Sequence, residues 1–262
     1  MTAVRDRPAI VGALVALTMC GCATPEPEWT ALFNGRDLTG WTPKITGLPL
    51  GSDPAGTFRV EDGLLTVGYE GYDDFGGQFG HLFYEEPFSR FRLRIEYRVI
   101  GEQATSGQGW AFKNSGVMFH AQAPGSMLPD QDFPISLEAQ FLGGNGTDER
   151  PTANICTPGT HVEMADTLVE QHCIASSSAT YHTDEWVAVE LLVLGDSVIR
   201  HIVDGDTVLT YSKPVIGGGG VNGYDPAAKP DGTPLRSGYI ALQSESHPIQ
   251  FRQVLLQRLD GG

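Results

Sequence analysis

The segment 91–99, FRLRIEYRV, alternates without a break. Phe91, Leu93, Ile95, Tyr97 and Val99 fall on one side, and Arg92, Arg94, Glu96 and Arg98 on the other. Side chains along a strand point to opposite faces in turn, so this pattern specifies a strand with one buried and one solvated face. The rest of the chain repeats the constraint. FRVEDGLLTV (58–67) carries Asp62-Gly63 as a tight-turn signal, and WVAVELLVL (186–194) is a longer apolar strand. SVIRHIV, the turn Asp204-Gly205 and TVLTYS follow, and GYIALQS (238–244) and IQFRQVLLQRL (249–259) come last. No segment keeps a helical period over two turns. The 33 glycines and 17 prolines fall mostly between strands, where they punctuate turns. These features predict an all-β chain of two antiparallel sheets packed face to face. No repeat or interdomain linker interrupts residues 31–260, which read as one domain with 217–233 as a long loop or lid.

Residues with chemistry gather in 110–141. In its second strand Ile135, Leu137, Ala139 and Phe141 share one face, and Ser136, Glu138 and Gln140 the other. In its first strand Val117 and Phe119 oppose Gly116, Met118 and His120. If the two strands pair, a carboxylate, an amide and an imidazole line one polar surface. That suits a small-molecule site on a sheet; the plain alternative is a solvated sheet face.

Glu138 is the first candidate for a general base or a metal ligand, because its strand otherwise buries apolar neighbours. Its alternative is a structural carboxylate paired with an arginine of 91–99. His120 ends a strand before a long loop, where site residues concentrate, and reads as a proton carrier or as a structural histidine. Gln140 and Asn114 are candidates to bind hydroxyls, although Asn114-Ser115-Gly116 is also turn chemistry. Glu245 and His247 lie in the last turn and could meet the Phe112-Lys113-Asn114 segment at one rim. Lys113 or Arg94 could stabilise a developing anion. His161, Glu163, His172 and His182 read first as loop residues, with ligation as the alternative, and His201 reads as structural. Trp41, Trp110, Phe112, Tyr72 and Tyr181 could stack on a sugar ring, although core packing accounts for most such aromatics.

The N-terminus reads as an export signal. Arg5 and Arg7 precede an apolar run, 9–19, too short to span a bilayer as an ordinary helix. Gly21-Cys22 then resembles a lipoprotein processing site, with Cys22 as the lipidated residue and 23–30 as a tether. A plain secretory signal is the alternative. Lipidation would anchor the chain to a membrane without spanning it. Arg5, Asp6 and Arg7 carry a net +1 of a total −15, so the chain beyond them stands at −16. Such acidity argues against nucleic-acid binding through phosphates and fits a neutral or cationic ligand. Two cysteines remain, Cys156 and Cys173, and in an exported chain a disulfide is the first reading. Metal ligation with nearby histidines is the alternative, but the spacing lacks a zinc pattern.

The opening ALFNGRDLTGWTP (31–43) resembles that of the 3-keto-disaccharide hydrolase family. FRVEDGLL, the 91–99 strand, Asn114-Ser115-Gly116, the Glu138/Gln140 strand, IRHIVDGDTV and IALQSESHPIQFRQVLL extend the resemblance over about residues 30–259. It implies a concanavalin-like jelly roll. It also implies action on glycosides oxidised at carbon 3, as a lyase, a hydratase or both in sequence, with carbohydrate as the partner. A ketone at carbon 3 acidifies the proton on carbon 2, so a base there and a stabiliser of the enolate oxygen suffice. A divalent metal ion would serve as that stabiliser, but no recognised metal motif is present. The competing functional class is a carbohydrate-binding module without catalysis.

Overall fold

The computed structural model describes Met1 and residues 28–259. The expected signal, most of the tether and Cys22 lie outside the described residues. Among the latter, no helix is long and apolar enough to cross a membrane.

Among the described residues, seventeen strands form in chain order. They are β1 (Trp29–Ala31), β2 (Trp41–Ile45), β3 (Phe58–Glu61), β4 (Leu64–Val67), β5 (Gly80–Phe88) and β6 (Arg90–Val99). Next come β7 (Asn114–Ala121), β8 (Leu137–Leu142), β9 (Asn154–Cys156), β10 (Thr160–Met164), β11 (Thr167–Val169) and β12 (Cys173–Ile174). The last are β13 (Val187–Leu194), β14 (Ile199–Val203), β15 (Asp206–Ile216), β16 (Gly238–Ser244) and β17 (Ile249–Arg258). A ten-stranded sheet runs β11-β10-β15-β14-β13-β6-β17-β4-β3, with β1 added on β17. A seven-stranded sheet runs β12-β9-β8-β7-β16-β5-β2. The named strand pairs are antiparallel, as expected for an all-β sandwich of the jelly-roll type.

The alternation seen in 91–99 builds the core. Phe91, Leu93, Ile95, Tyr97 and Val99 are buried, and Leu93 and Ile95 meet Val117, Ala139 and Leu242 of the facing sheet in one apolar cluster. Burial on this scale is the main drive for folding, at about 25 cal/mol per Å² of apolar surface removed from water. Arg92 and Arg94 turn outward and pair with Glu190 and Glu96. Both predicted tight turns form: Asp62 and Gly63 take φ of 51° and 78°, and Asp204 and Gly205 take 51° and 89°. Two-residue hairpin loops need positive φ at both central positions, which Asp-Gly tolerates.

Three details differ from the sequence reading. Trp29 and Thr30, assigned to the tether, pair instead with Gln257 and Leu256 of β17. The strand expected from Ile135 begins two residues later, at Leu137. His120 breaks the alternation of β7. Its φ is +47°, beside an irregular register between β7 and β16. A bulge of this kind re-aims the side chain. The ring therefore packs against Phe91 and Phe119, and Nε2 lies 3.1 Å from the carbonyl oxygen of Gly195. His120 is thus a buried structural histidine, away from the polar face that carries Glu138.

Candidate functional site

The face of the seven-stranded sheet turned away from the core carries a polar row. Lys44 lies opposite His81, His81 opposite Gln243, Gly116 opposite Gln140, and Gln140 opposite Asn154. Leu242 faces Val117, which sets Gln243 beside Gly116. In the next rung Glu138 stands between Met118 and Cys156. Opposed residues of paired strands share a face, so these side chains converge.

Loops close over this row and leave a cavity of about 560 Å³. Its polar lining includes Gln108, Asn114, Asp132, Glu138, Gln140, Asn222 and Glu245. Phe79, Trp110 and Phe133 form an aromatic side. Among the described residues that line it, none is lysine or arginine.

Glu138 and Glu245 are the centre of the cavity's chemistry. They are 5% and 3% exposed, and neither forms an ion pair among the described residues. Glu138 bends over Gly116: a Cβ there would lie 2.7 Å from Glu138 Oε1. Glu245 Oε1 accepts a hydrogen bond from Gln243 Nε2 at 2.8 Å. The turn that carries Glu245 is pinned from below. Tyr69 Oη bonds Ser244 Oγ at 2.8 Å and accepts from the Ser246 amide at 2.8 Å, and Gln103 Nε2 donates to Ser246 Oγ at 2.9 Å.

Burial pushes the Glu138 carboxyl up from the ordinary carboxylate range. Burial, and then the nearby charge of Glu138, pushes Glu245 up as well. Two buried carboxyl groups in one site resist ionising together, so the pair retains a proton where a solvated carboxylate has lost it. Five buried oxygens at this region have no protein partner: Gln108 Oε1, Asn114 Oδ1, Glu138 Oε1, Gln243 Oε1 and Glu245 Oε2. Buried polar atoms are normally satisfied, so this set suits a ligand rich in hydrogen-bond donors. Oxygen donors of this kind suit a hard divalent ion. However, among the described residues no group of three or more His, Cys, Asp or Glu could hold a metal ion.

The structure brings Glu138, Gln140, Asn114 and Glu245 to one cavity and leaves other candidates outside it. Gln140 is partly committed, since its Oε1 accepts from Asn154 Nδ2 at 3.0 Å. Lys113 donates from Nζ to the Gly144 carbonyl at 3.2 Å and lies over the Phe112 ring. His247 packs edge-on against Phe112, and burial first, then Lys113, holds its pKa down to about 4. Arg94 sits on the other sheet with Glu96. Glu163 pairs with Lys213, and His201 bonds Ala153 and Tyr211 in the core. Of the loop histidines, His172 alone lines the cavity, and burial lowers its pKa. Trp41, Tyr72 and Tyr181 make internal hydrogen bonds, whereas Trp110 reaches the cavity.

Cys156 and Cys173 form the expected disulfide, which makes one wall of the cavity. Sequence reasoning missed Gln243, Gln108, Asp132 and Asn222. Gln243 was legible, because it shares the alternation of GYIALQS that leads to Glu245. Asp132 and Asn222 were not, since they meet only through the fold. The Asp132 carboxylate accepts from the Asn222 amide and from Asn222 Nδ2, both at 2.7 Å. This clasp ties the loop before β8 to the strap 217–223.

Comparison with solved structures places two proteins of Parabacteroides distasonis ATCC 8503, both provisionally named glycosyl hydrolases, among the similar folds. One is 18% identical with a TM-score of 0.53, covering 88% of this chain and 94% of its own. The other is 15% identical with a TM-score of 0.52, covering 88% and 100%. At these identities the likeness concerns the fold. A comparison with curated proteins found no match. The family profile described as "3-keto-alpha-glucoside-1,2-lyase-like domain" matches residues 28–257. The match spans nearly every described residue, including both strands and the turn that carry the carboxyl pair, and the chain belongs to this family of carbohydrate-active proteins.

Proposed function

We propose that the protein is an exported enzyme that cleaves 3-keto glycosides by elimination, with water addition completing a net hydrolysis. The single observation that carries this reading is the buried carboxyl couple of Glu138 and Glu245, without an ion pair, in a cavity whose lining holds no lysine or arginine. Burial and then its neighbour's charge push Glu245 up, and in this reading it is the acid of the pair. Glu138 is the base.

The Glu138 carboxylate takes the proton from carbon 2, and that C–H electron pair forms the enolate toward the carbon 3 oxygen. The enolate collapses, the bond between carbon 1 and the glycosidic oxygen breaks, and its electrons leave with that oxygen. The protonated Glu245 supplies the proton that the leaving alcohol needs. The products are an enone and the free alcohol. Addition of water to carbon 1, with a proton returned to carbon 2, gives the free 3-keto sugar. Proton transfer by a positioned group typically contributes about 10²–10⁴-fold. The site does not need the pair of carboxyls flanking the bond that ordinary glycosidases use.

Asn114 and Gln243 supply acceptors for sugar hydroxyls, and Gln140 presents its amide on the same face. Export and a lipid anchor at Cys22 rest on the sequence of the N-terminus alone.

The test is the purified protein with a panel of 3-keto glucosides, with and without added divalent metal. Aglycone release and enone absorbance are followed together. The reading predicts release with a transient enone signal, both lost in Glu138→Gln. Saturable binding of an unoxidised glycan with no turnover of any keto sugar would replace it with a carbohydrate-binding module.

A further inference from the structure

Three aromatic rings in the cavity are not used by the carboxyl chemistry. Trp110 is 56% exposed, although it is one of the largest apolar side chains in the protein. Its ring lies flat on Phe79, with centroids 5.7 Å apart and planes at 21°. Phe79 in turn meets Phe133 at 4.9 Å. All three rings line the cavity that holds Glu138 and Glu245.

The platform is fixed from behind. Phe75 meets Phe79 edge-on at 5.2 Å, and His81 meets Phe133 edge-on at 5.6 Å. Trp110 itself sits in a short 3-10 turn, Gly109–Ala111. Gln103 Nε2 holds that turn by donating to the Gln108 carbonyl at 2.8 Å. An indole that has one face on a buried ring and the other in water keeps a large apolar surface for a ligand.

We propose that Trp110, Phe79 and Phe133 form a leaving-group subsite that takes a flat, neutral, apolar ring face. An aryl aglycone and the carbon–hydrogen face of a second sugar both present that chemistry. The assignment rests on the 3-keto glycoside reading, and depth decides it. The reacting ring must reach carboxyl groups that are 5% and 3% exposed. A ring resting on the half-exposed Trp110 is therefore the outer one, attached through carbon 1. With Asp132, Glu138 and Glu245 in the lining and no lysine or arginine beside them, the cavity also disfavours aglycones that carry a negative charge of their own.

Trp110→Ala and Trp110→Phe test the proposal on three 3-keto glucosides: methyl, p-nitrophenyl and a disaccharide. The subsite predicts that Trp110→Ala raises KM about tenfold for the p-nitrophenyl and disaccharide substrates. The methyl glycoside stays within about twofold, and Trp110→Phe restores most of the loss. A rise in KM for the aryl substrate alone, or for the disaccharide alone, identifies which ring the platform serves. Equal losses on all three substrates, or none, would overturn the subsite. Calorimetric binding of unoxidised p-nitrophenyl and methyl glucosides separates the two ideas. If no keto sugar turns over, the catalytic reading fails. A preference for the aryl ligand that Trp110→Ala abolishes still establishes the platform, and the lack of any such preference refutes it.

Discussion

Gly116 and Glu138 occupy one another's space: a Cβ on Gly116 would lie 2.7 Å from Glu138 Oε1 and 2.9 Å from the Ala139 carbonyl oxygen. Such distances are far inside van der Waals contact. The slot above Gly116 is what lets a glutamate lie flat on a sheet face and turn toward Glu245. Gly116→Ala is therefore expected to displace the carboxyl and abolish turnover. Overpacking typically costs about 1–3 kcal/mol, so thermal unfolding should fall while the fold persists by circular dichroism. Normal activity in this variant would show that the position of Glu138 is not critical.

The carboxyl pair should also leave a mark on stability. Both groups titrate above the ordinary value of 4.5 in the folded state. A raised carboxyl value means that the folded protein binds more protons than the unfolded chain, so stability falls as pH rises through that window. Buried His247 acts in the opposite sense. Its folded value is about 4, below the ordinary 6.5, so the stability it contributes is present above pH 6.5 and is lost as pH falls toward 4. Above pH 6.5 the imidazole is neutral in both states, and a decline there belongs to the carboxyls. Denaturant titrations of wild type and Glu245→Gln across pH 6.5–8.5 should show a slope in the wild type that the variant flattens. Equal slopes would contradict the raised values.

Much of the fold was legible in the chain because alternation and turn chemistry are local. The 91–99 strand follows from a period of two and both Asp-Gly turns from turn chemistry, whereas the pairing of β7 with β8, conditional in the sequence, is supplied by the structure. Glu138 and Gln140 were legible for the same reason, and Glu245 because it follows an alternating strand. His120 was misplaced because a bulge at one residue reverses the facing of its side chain, and no sequence pattern announced it. Lys113 and His247 were read as near the site but are not in the cavity lining, being engaged with Phe112 and Gly144. Asp132, Asn222, Phe79 and Phe133 depend on loops meeting across long separations, which periodicity does not report.

The disulfide should support both stability and the cavity wall. It closes a separation of 17 residues, and a loop of that length typically gains about 3 kcal/mol from a crosslink. Its partner strand β12 is only two residues long and adjoins His172. Cys156→Ser with Cys173→Ser, or reduction, is expected to lower the unfolding free energy by about that amount and to weaken ligand binding. Unchanged affinity would remove the wall from the recognition surface.

The clasp between Asp132 and Asn222 predicts a local effect. Asp132→Ala removes the acceptor of two strap hydrogen bonds at an exposed site. Global stability should change by about 1 kcal/mol or less. Amide exchange in 217–223 should accelerate, and sugar affinity should fall. Unaltered exchange would mean that the strap is held by its contacts with Gly159 and His172 instead.

The most direct test of the chemistry is isotopic. A 3-keto glucoside is incubated with the protein in deuterium oxide, and carbon 2 is followed by NMR as the aglycone is released. Proton abstraction by Glu138 predicts deuterium at carbon 2 in the 3-keto sugar product, and neither release nor exchange above background with Glu138→Gln. Release of the aglycone by the wild-type protein with the original hydrogen retained at carbon 2 would contradict elimination and point to direct displacement at carbon 1.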